Sequence, residues 1–326
     1  MNSRSPGPSG LRRLRPGRLV YLFWFAPLAA LHRSRREGGP VNQWITRRGR
    51  RQMAAAASQL PPLARPPPDA PEVAFLTGRR FWYQTAFCFW SLARRSGTPV
   101  RVAFYDDGSI GPALRAEGAR LFPGCRFEDA DQIAARLDQH LPAARFPVLR
   151  ARRLVYPNLR KLTDVHAGAR GWRLVLDSDM LFFRRPGLLL EWLDAPARPL
   201  HMTDVQDAYG YSPGLMQTLV GGPIPHRLNV GLCGLNSEAL DWDHLEYWCR
   251  RLQETEGTSY YLEQALTAML LAGRECVVAP PTDYVLMPAE MEARQPHAVM
   301  HHYVDLSKRG YFRHAWRHIA PTPIAP

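Results

Sequence analysis

The segment LVLDSDMLFF, residues 174–183, is an apolar run interrupted by two aspartates, Asp177 and Asp179. Its branched and aromatic side chains predict a buried strand over WRLVLDSDMLFF, with the aspartates where the strand runs out into a loop. The i, i+2 spacing there lets both carboxylates reach one point. Carboxylate oxygens suit Mg²⁺ or Mn²⁺, which also bind substrate phosphates. The pair is therefore either a divalent-metal site or two turn-capping side chains.

Strands and helices alternate on both sides of this segment. Residues 73–78 and 99–109 are predicted strands, and helices are predicted over residues 82–96, 112–120, 128–140 and 147–167. This alternation predicts an α/β fold with a Rossmann-type mixed sheet, mostly parallel and flanked by helices. Ligands bind such sheets at the carboxyl ends of the strands. The sequences TG, DDG and DSD fall at three of those ends.

A second candidate group lies far downstream, in HHYVDLSK at residues 301–308. Histidine is the commonest nitrogen ligand of metals, and a lysine ammonium neutralises phosphate as a point charge. The chain has 40 arginines but only two lysines, Lys161 and Lys308. This bias indicates that each lysine stands where a flexible ammonium group is required. The alternative is that the two lysines remain by chance.

The net charge of +13 belongs to one end of the chain. Residues 1–65 contain 13 arginines and a single acid, Glu37, which gives +12. The remaining residues are close to neutral and carry no nucleic-acid recognition motif, so no specific nucleic-acid partner is expected. Five widely spaced cysteines without a CxxC pair argue against a disulfide framework or structural zinc and fit a reducing compartment.

The basic N-terminal segment, residues 1–70, is predicted to be partly disordered and partly helical. Residues 1–18 are rich in Arg, Pro and Gly, and residues 19–31 form an apolar stretch too short for the ~20 residues of a membrane span. This stretch is either an interfacial helix on an anionic membrane surface or a buried helix. A proline-rich linker follows, so residues 71–326 are predicted to form a separate folded domain. The protein is predicted to be cytoplasmic, with peripheral contact at the inner face of the membrane.

Four blocks give the chain a resemblance that covers residues 73–316. They are Asp177-Ser178-Asp179 with MLFFRRP, the stretch from Asn229-Val230-Gly231 to Asn236, the pair Glu263-Gln264, and His302 followed at the same spacing by Lys308. In these blocks the chain resembles GT-A fold glycosyltransferases, most closely the retaining glycogenin and lipopolysaccharide galactosyltransferase family. Departures are Asp305 for a glycine, Arg309-Gly310 for Pro-Trp, and Glu263 for an aspartate, which leave the stereochemical outcome open.

The resemblance implies a metal-dependent enzyme that uses a nucleotide-diphospho-sugar, most often a UDP-sugar. Mn²⁺ or Mg²⁺ would be held by Asp177, Asp179 and His302, with Lys308 on the leaving phosphate. In a retaining reaction Gln264 would lie near the anomeric carbon, whereas in an inverting one Asp204 or Asp207 could serve as base. The glycan, lipid or protein acceptor is not specified.

Further donor contacts are expected from the strand ends and one helix. Thr77, Gly78 and the pair Asp106 and Asp107 would hold the nucleoside, although turn chemistry also explains DDGS. Asn229 would position the sugar or the backbone. The helix predicted over residues 147–167 would present three charged side chains on one face: Arg153, Lys161 and Asp164. These side chains would bind the sugar or the phosphates, or else form a solvated charged face.

Two other functional classes stay open at this stage. A catalytically silent carbohydrate- or nucleotide-binding protein, or a membrane-associated scaffold, would use the same fold and the arginine-rich segment. A nucleotidyltransferase would share the nucleotide-binding sheet, but the first strand ends in a single TG and not in a glycine-rich phosphate loop.

Overall fold

The computed structural model describes residues 38–321. The chain divides into two units between Arg48 and Gly49, within its first described helix. The predicted disorder of residues 1–18 and the predicted helix of residues 19–31 lie outside the described residues. The domain boundary at residue 70 stays a prediction.

The secondary structure alternates between strands and helices, as predicted. The helices are α1 (Gly39–Ala57), α2 (Trp82–Ser96), α3 (Pro112–Leu121), α4 (Ala130–His140), α5 (Pro147–Val155), α6 (Arg160–His166), α7 (Gly187–Asp194), α8 (Pro213–Val220), α9 (Trp242–Glu256), α10 (Leu262–Leu270), α11 (Glu290–Arg294) and α12 (Lys308–Arg313). The strands are β1 (Glu72–Thr77), β2 (Arg101–Asp106), β3 (Arg126–Glu128), β4 (Trp172–Leu176), β5 (Met180–Phe182), β6 (Leu200–Thr203), β7 (Leu228–Asn236), β8 (Val277–Val278), β9 (Tyr284–Leu286) and β10 (Met300–His302).

Seven of these strands form one mixed sheet in the order β3-β2-β1-β4-β7-β6-β8. Strands β1 to β4 run parallel where they pair, and β7 is antiparallel to both β4 and β6. The smaller sheet has the order β5-β10-β9. The predicted α/β fold class, a mixed sheet flanked by helices, is confirmed.

The prediction that WRLVLDSDMLFF forms one strand is wrong. The run contains two strands in different sheets, because β4 pairs with β1 and β7 whereas β5 pairs with β10. Hydrophobicity does not separate the two parts, because Leu174–Leu176 of β4 and all of β5 are apolar and buried. The residues between them, Asp177, Ser178 and Asp179, form the connection between the two sheets.

The helix predicted over residues 147–167 is also wrong, because the chain leaves the helical conformation at Tyr156. That residue has φ −127° and ψ 90°, and a short 3₁₀ turn, Pro157–Leu159, separates α5 from α6. Proline lacks the N–H that a helix interior requires, and its ring disfavours a helical conformation at the preceding residue. Arg153 and Asp164 therefore do not lie on one continuous helix.

Local signals fix several helix ends. Helix α2 ends at Gly97, whose φ of 69° is a left-handed conformation that glycine adopts without a Cβ clash. At the start of α4, the Asp129 side chain accepts from Gln132 N at 2.8 Å, and the Gln132 side chain accepts from Asp129 N at 3.1 Å. This reciprocal capping satisfies two backbone donors that the helix itself leaves unpaired.

The large sheet is packed on both faces, because alternate side chains of each strand point to opposite sides. In β1, Val73 and Phe75 belong to one buried hydrophobic cluster, together with much of α2. Ala74 belongs to the other, which includes residues of α4, α9 and α10. Burial on both faces leaves the strand ends as the place where polar side chains can meet a ligand.

Candidate active site

The Asp177–Asp179 connection is held by backbone contacts to both sheets. Asp177 N donates to Gly231 O of β7 at 2.7 Å, and Tyr303 N, next to β10, donates to Asp179 O at 2.8 Å. The Ser178 hydroxyl lies 2.7 Å from the Thr85 hydroxyl of α2. With the main chain and the central side chain fixed in this way, both carboxylates project from the end of β4 toward the same cleft.

The small sheet brings His302 to these carboxylates. His302 lies opposite Met180 in the β5–β10 pair, and its Nε2 is 3.2 Å from Asp179 Oδ1 and 3.7 Å from Asp177 Oδ2. One ligand atom from each of the three side chains lies within 4.8 Å of the others. A Cβ on Gly231 would come 2.3 Å from His302 Cε1, so the glycine leaves the space that the imidazole occupies.

The chemistry of this cluster fits a divalent cation. His302 is 2 % exposed; within residues 38–321 its Nδ1 has no hydrogen-bond partner, and its Nε2 faces the two carboxylates without forming a hydrogen bond. Such buried, unpaired nitrogens are costly unless something else satisfies them. Two carboxylate oxygens and an imidazole nitrogen that converge on one point form a donor set for Mn²⁺ or Mg²⁺.

Both lysines of the sequence lie beside this cluster. Lys308 Nζ is 3.0 Å from Asp179 Oδ2, and Lys161 Nζ is 2.9 Å from Asp177 Oδ1. Lys161 is also 3.1 Å from Glu263 Oε2. Each aspartate therefore has its own ammonium partner, which balances part of the negative charge gathered at the end of β4.

The charge partners shift the acidities of the cluster. Burial opposes ionisation of Asp179, but His302 and Lys308 outweigh it and hold the pKa of this carboxyl well below its usual range. Burial likewise opposes the charge of Lys161, yet Asp177 and Glu263 raise its pKa above the ordinary value. For Glu263, burial dominates over Lys161 and raises the pKa to about 7. Two charged pairs and one weakly acidic carboxyl therefore share the site at neutral pH.

A second polar group, on the other side of the cleft, is built around Asp204. Its Oδ2 accepts from Asn229 Nδ2 at 2.9 Å and from Gln264 Nε2 at 3.2 Å, and its Oδ1 accepts from Val205 N at 2.7 Å. Asn229 Oδ1 in turn accepts from Gly231 N at 2.9 Å. The end of β6, the start of β7 and the start of α10 are thus connected through one buried carboxylate.

These groups line one cleft of about 710 Å³. Of the residues predicted from the sequence, the cleft contains Lys161, Asp177, Asp179, Asp204, Asn229, Gln264, His302 and Lys308. Its edge is aromatic: Tyr260 is 70 % exposed, Tyr261 41 % and Phe81 37 %, and the Tyr156 hydroxyl donates to the Tyr260 carbonyl. The sequence argument did not single out these aromatic residues, although the pair Tyr260-Tyr261 directly precedes α10.

Four other predicted residues, Asp106 among them, lie at the first two strand ends and do not line this cleft. Asp106 Oδ1 accepts from Gly108 N at 2.7 Å, which is turn hydrogen bonding. Thr77 is buried, with its hydroxyl 2.6 Å from that of Thr85. A Cβ on Gly78 would come 2.0 Å from Asp107 Oδ1, which accepts from Ser109 N at 3.0 Å. Asp107 therefore takes part in turn hydrogen bonding, and the nucleoside contact assigned to these residues stays a prediction.

Arg153 and Asp164 contact each other across the bend at Pro157. Arg153 Nε donates to Asp164 Oδ1 at 2.5 Å, and the second guanidinium bond, to Oδ2, is 2.7 Å long. Asp164 is fully buried, and neither residue lines the cleft. The ion pair connects α5 to α6, the helix that carries Lys161, and so helps to position that lysine. A direct contact of Arg153 or Asp164 with the donor stays a prediction.

The comparisons with known proteins concern the fold. No protein-family model and no curated protein matches the sequence. Galactosyltransferase LgtC, solved with donor and acceptor sugar analogues, is similar in structure with a TM-score of 0.50 and 17 % identity, over 72 % of this chain and 87 % of LgtC. Mouse xyloside xylosyltransferase 1 matches with a TM-score of 0.48 and 15 % identity, over 72 % of this chain and 97 % of its own. The likeness to LgtC confirms the predicted GT-A-like fold.

Proposed function

We propose that this chain is a metal-dependent glycosyltransferase that transfers a sugar from a nucleotide-diphospho-sugar, a UDP-sugar in our prediction. One observation carries the proposal. Asp177, Asp179 and His302 converge with Lys161 and Lys308 in a single cleft, at the strand ends of a GT-A-like fold. A divalent donor set next to ammonium groups matches the charge of a diphosphate.

The donor diphosphate would bind at the Asp179 side of the cleft. Asp177, Asp179 and His302 would hold Mn²⁺ or Mg²⁺, which supplies positive charge to the two phosphates as the nucleoside diphosphate leaves. Lys308 has a side chain that is 36 % exposed, so its ammonium can turn from Asp179 to a phosphate oxygen. It would then stabilise the charge that develops at the leaving oxygen.

The polar group around Asp204 supports a retaining reaction. Three hydrogen bonds from Asn229, Gln264 and the backbone of Val205 engage both oxygens of Asp204, so the carboxylate is already directed at donors of the protein itself. A dedicated general base, which inversion requires, would need a freer carboxylate. We therefore assign Asp204 to positioning, with Gln264 near the anomeric carbon and Asn229 beside the sugar.

The aromatic edge of the cleft supports a glycan acceptor. Tyr260, Tyr261 and Phe81 present exposed rings at the opening, and aromatic faces pack well against the apolar faces of sugar rings. We also propose that the enzyme acts in the cytoplasm, at the inner face of a membrane, through its basic N-terminal segment.

Ligand-dependent thermal stability tests this function. Melting temperatures would be measured with UDP, GDP and CMP, each with and without Mn²⁺, because a ligand that binds the native state raises the melting temperature. We expect an increase with UDP that requires Mn²⁺ and is lost in Asp179→Asn. The matched control is Asp243→Asn, an exposed aspartate outside the cleft that pairs with Arg145. If no nucleotide with Mn²⁺ raises the melting temperature, the proposed donor site is wrong. The result would then favour a catalytically silent binding protein.

A further inference from the structure

We propose that the first described helix docks the protein on an anionic lipid surface through a patch of five side chains. This Trp44 patch comprises Val41, Trp44, Ile45, Arg47 and Arg48, all in the N-terminal unit. The inference deepens the membrane contact proposed above and rests on that part of the proposed function; it names the surface that makes the contact and the class of lipid that it fits.

The apolar part of the patch forms one stripe along helix α1. Val41, Trp44 and Ile45 stand at positions i, i+3 and i+4, which lie on the same face of a helix. They are 69 %, 60 % and 39 % exposed. Helices of globular proteins normally turn such a stripe toward a hydrophobic core, so an exposed one indicates a partner that can accept apolar side chains.

The basic part of the patch surrounds this stripe. Arg47 and Arg48 are exposed, and the Arg48 guanidinium lies 5.7 Å from the centre of the Trp44 ring. Helix α1 contains four arginines and no acid. Arg47 and Arg48 form no ion pair within residues 38–321, and their exposure keeps both side chains in contact with solvent.

The combination of the two parts favours lipid over other polyanions. Tryptophan lies well at the boundary between lipid headgroups and acyl chains, and arginine can keep its charge at the headgroups while its stem covers apolar surface. A nucleic acid would accept the arginines but offers no acyl layer for Val41 and Ile45. A second copy of the same patch would bring like charges together, which costs energy.

Vesicle binding by the full chain tests the proposal. Sedimentation with vesicles of equal parts phosphatidylcholine and phosphatidylglycerol would be compared with sedimentation with phosphatidylcholine alone. We expect binding only to the anionic vesicles, and a loss of about tenfold in affinity for Trp44→Ser because the indole no longer enters the interface. Arg47→Gln with Arg48→Gln should cost about fivefold for each arginine removed.

Matched controls separate the patch from general stickiness. Tyr247→Ser removes another half-exposed aromatic, on α9, and should bind vesicles as the unaltered chain does. Equal binding by Trp44→Ser and the unaltered chain would overturn the proposal. So would a change of oligomeric state in Trp44→Ser, since the face would then belong to a second copy, or stronger retention on duplex DNA than on vesicles.

The same assay is independent of catalysis. Asp179→Asn should bind anionic vesicles with unchanged affinity, because Asp179 is in the cleft and not in the Trp44 patch. If this variant binds vesicles while no nucleotide stabilises the unaltered chain, the docking surface stands and the proposed enzymatic function fails. If the chain binds nucleotides with Mn²⁺ but does not bind anionic vesicles, the proposed enzymatic function stands and the docking surface fails.

Discussion

The two aspartates of the candidate site have similar partners but different surroundings. On the Asp179 side, Lys308 is 36 % exposed and follows a short 3₁₀ turn, Asp305–Ser307, so a ligand can reach its ammonium. On the Asp177 side, Lys161 is 7 % exposed and held between Asp177 and Glu263. We therefore expect Lys308 to bind the proposed ligand and Lys161 to balance charge inside the protein.

The largest expected effect is on the Asp179 side. Asp179→Asn keeps the size of the side chain but removes a charge that the proposed ion and Lys308 both contact. We expect sugar transfer with Mn²⁺ to fall by at least about a hundredfold, with the melting temperature nearly unchanged in the absence of ligands. The rate of nucleoside diphosphate release in a single turnover measures this fall in sugar transfer. Asp243→Asn is the matched control. Full activity of Asp179→Asn would exclude the proposed metal site.

The two lysines provide the sharpest test of the comparison. Lys308→Ala should lower transfer about a hundredfold with little loss of stability, and Lys308→Arg should restore part of the activity. Lys161→Met should instead destabilise the fold by about 3 kcal/mol, because it leaves buried carboxylates without a counter-charge. Urea denaturation and turnover, measured on both variants, separate the two roles. Equal loss of stability in both variants would contradict the comparison.

A smaller effect, on the affinity for Mn²⁺, is expected when the space that Gly231 leaves for His302 is filled. In Gly231→Ala the new methyl group would lie 2.3 Å from His302 Cε1 and 2.8 Å from the Met180 methyl group, so the imidazole must move. We expect affinity for Mn²⁺ to fall about tenfold. Gly234→Ala is the control, because its methyl group would meet the Trp192 ring at 2.5 Å and affect packing alone. Unchanged Mn²⁺ affinity in Gly231→Ala would count against His302 as a ligand.

The smallest expected effect is the pH dependence of the Asp177 side. The pKa of Glu263 is raised to about 7 in the folded protein, mainly by burial, from an ordinary value of 4.5. The folded state therefore binds more protons than the unfolded state between these values, and the stability from protonated Glu263 is lost as pH rises through about 7. Glu263→Gln should flatten this decline. Melting temperatures measured in chelator from pH 5 to about 8 on both proteins would show it.

The parts of the fold and site that could be predicted from sequence are those fixed by local patterns. Helix α2 has the predicted bounds, residues 82–96, and the Asp-Ser-Asp sequence lies at the end of a strand, as expected. His302 and Lys308 lie in one cleft with these aspartates, as the family resemblance implied. For the ends of α2 and β4 the signal lies within a few residues of the feature that it predicts.

The remaining features depend on contacts between distant segments. Nothing within MLFF shows that β5 leaves the large sheet, since only its pairing with β10 decides this. Likewise, the charge of Arg153 is directed to Asp164 by the bend at Pro157, and Glu263 meets Lys161 only when α10 packs near α6. Patterns of hydrophobicity carry no information about such pairings.

The connection formed by Asp177, Ser178 and Asp179 joins the two sheets, and His302 reaches it from the smaller one. The donor set for the ion is consequently incomplete until both sheets have assembled. During folding, the seven-stranded sheet alone could supply the carboxylates but not the imidazole. In the proposed site, Mn²⁺ binding with the full donor set would therefore report that both sheets have assembled.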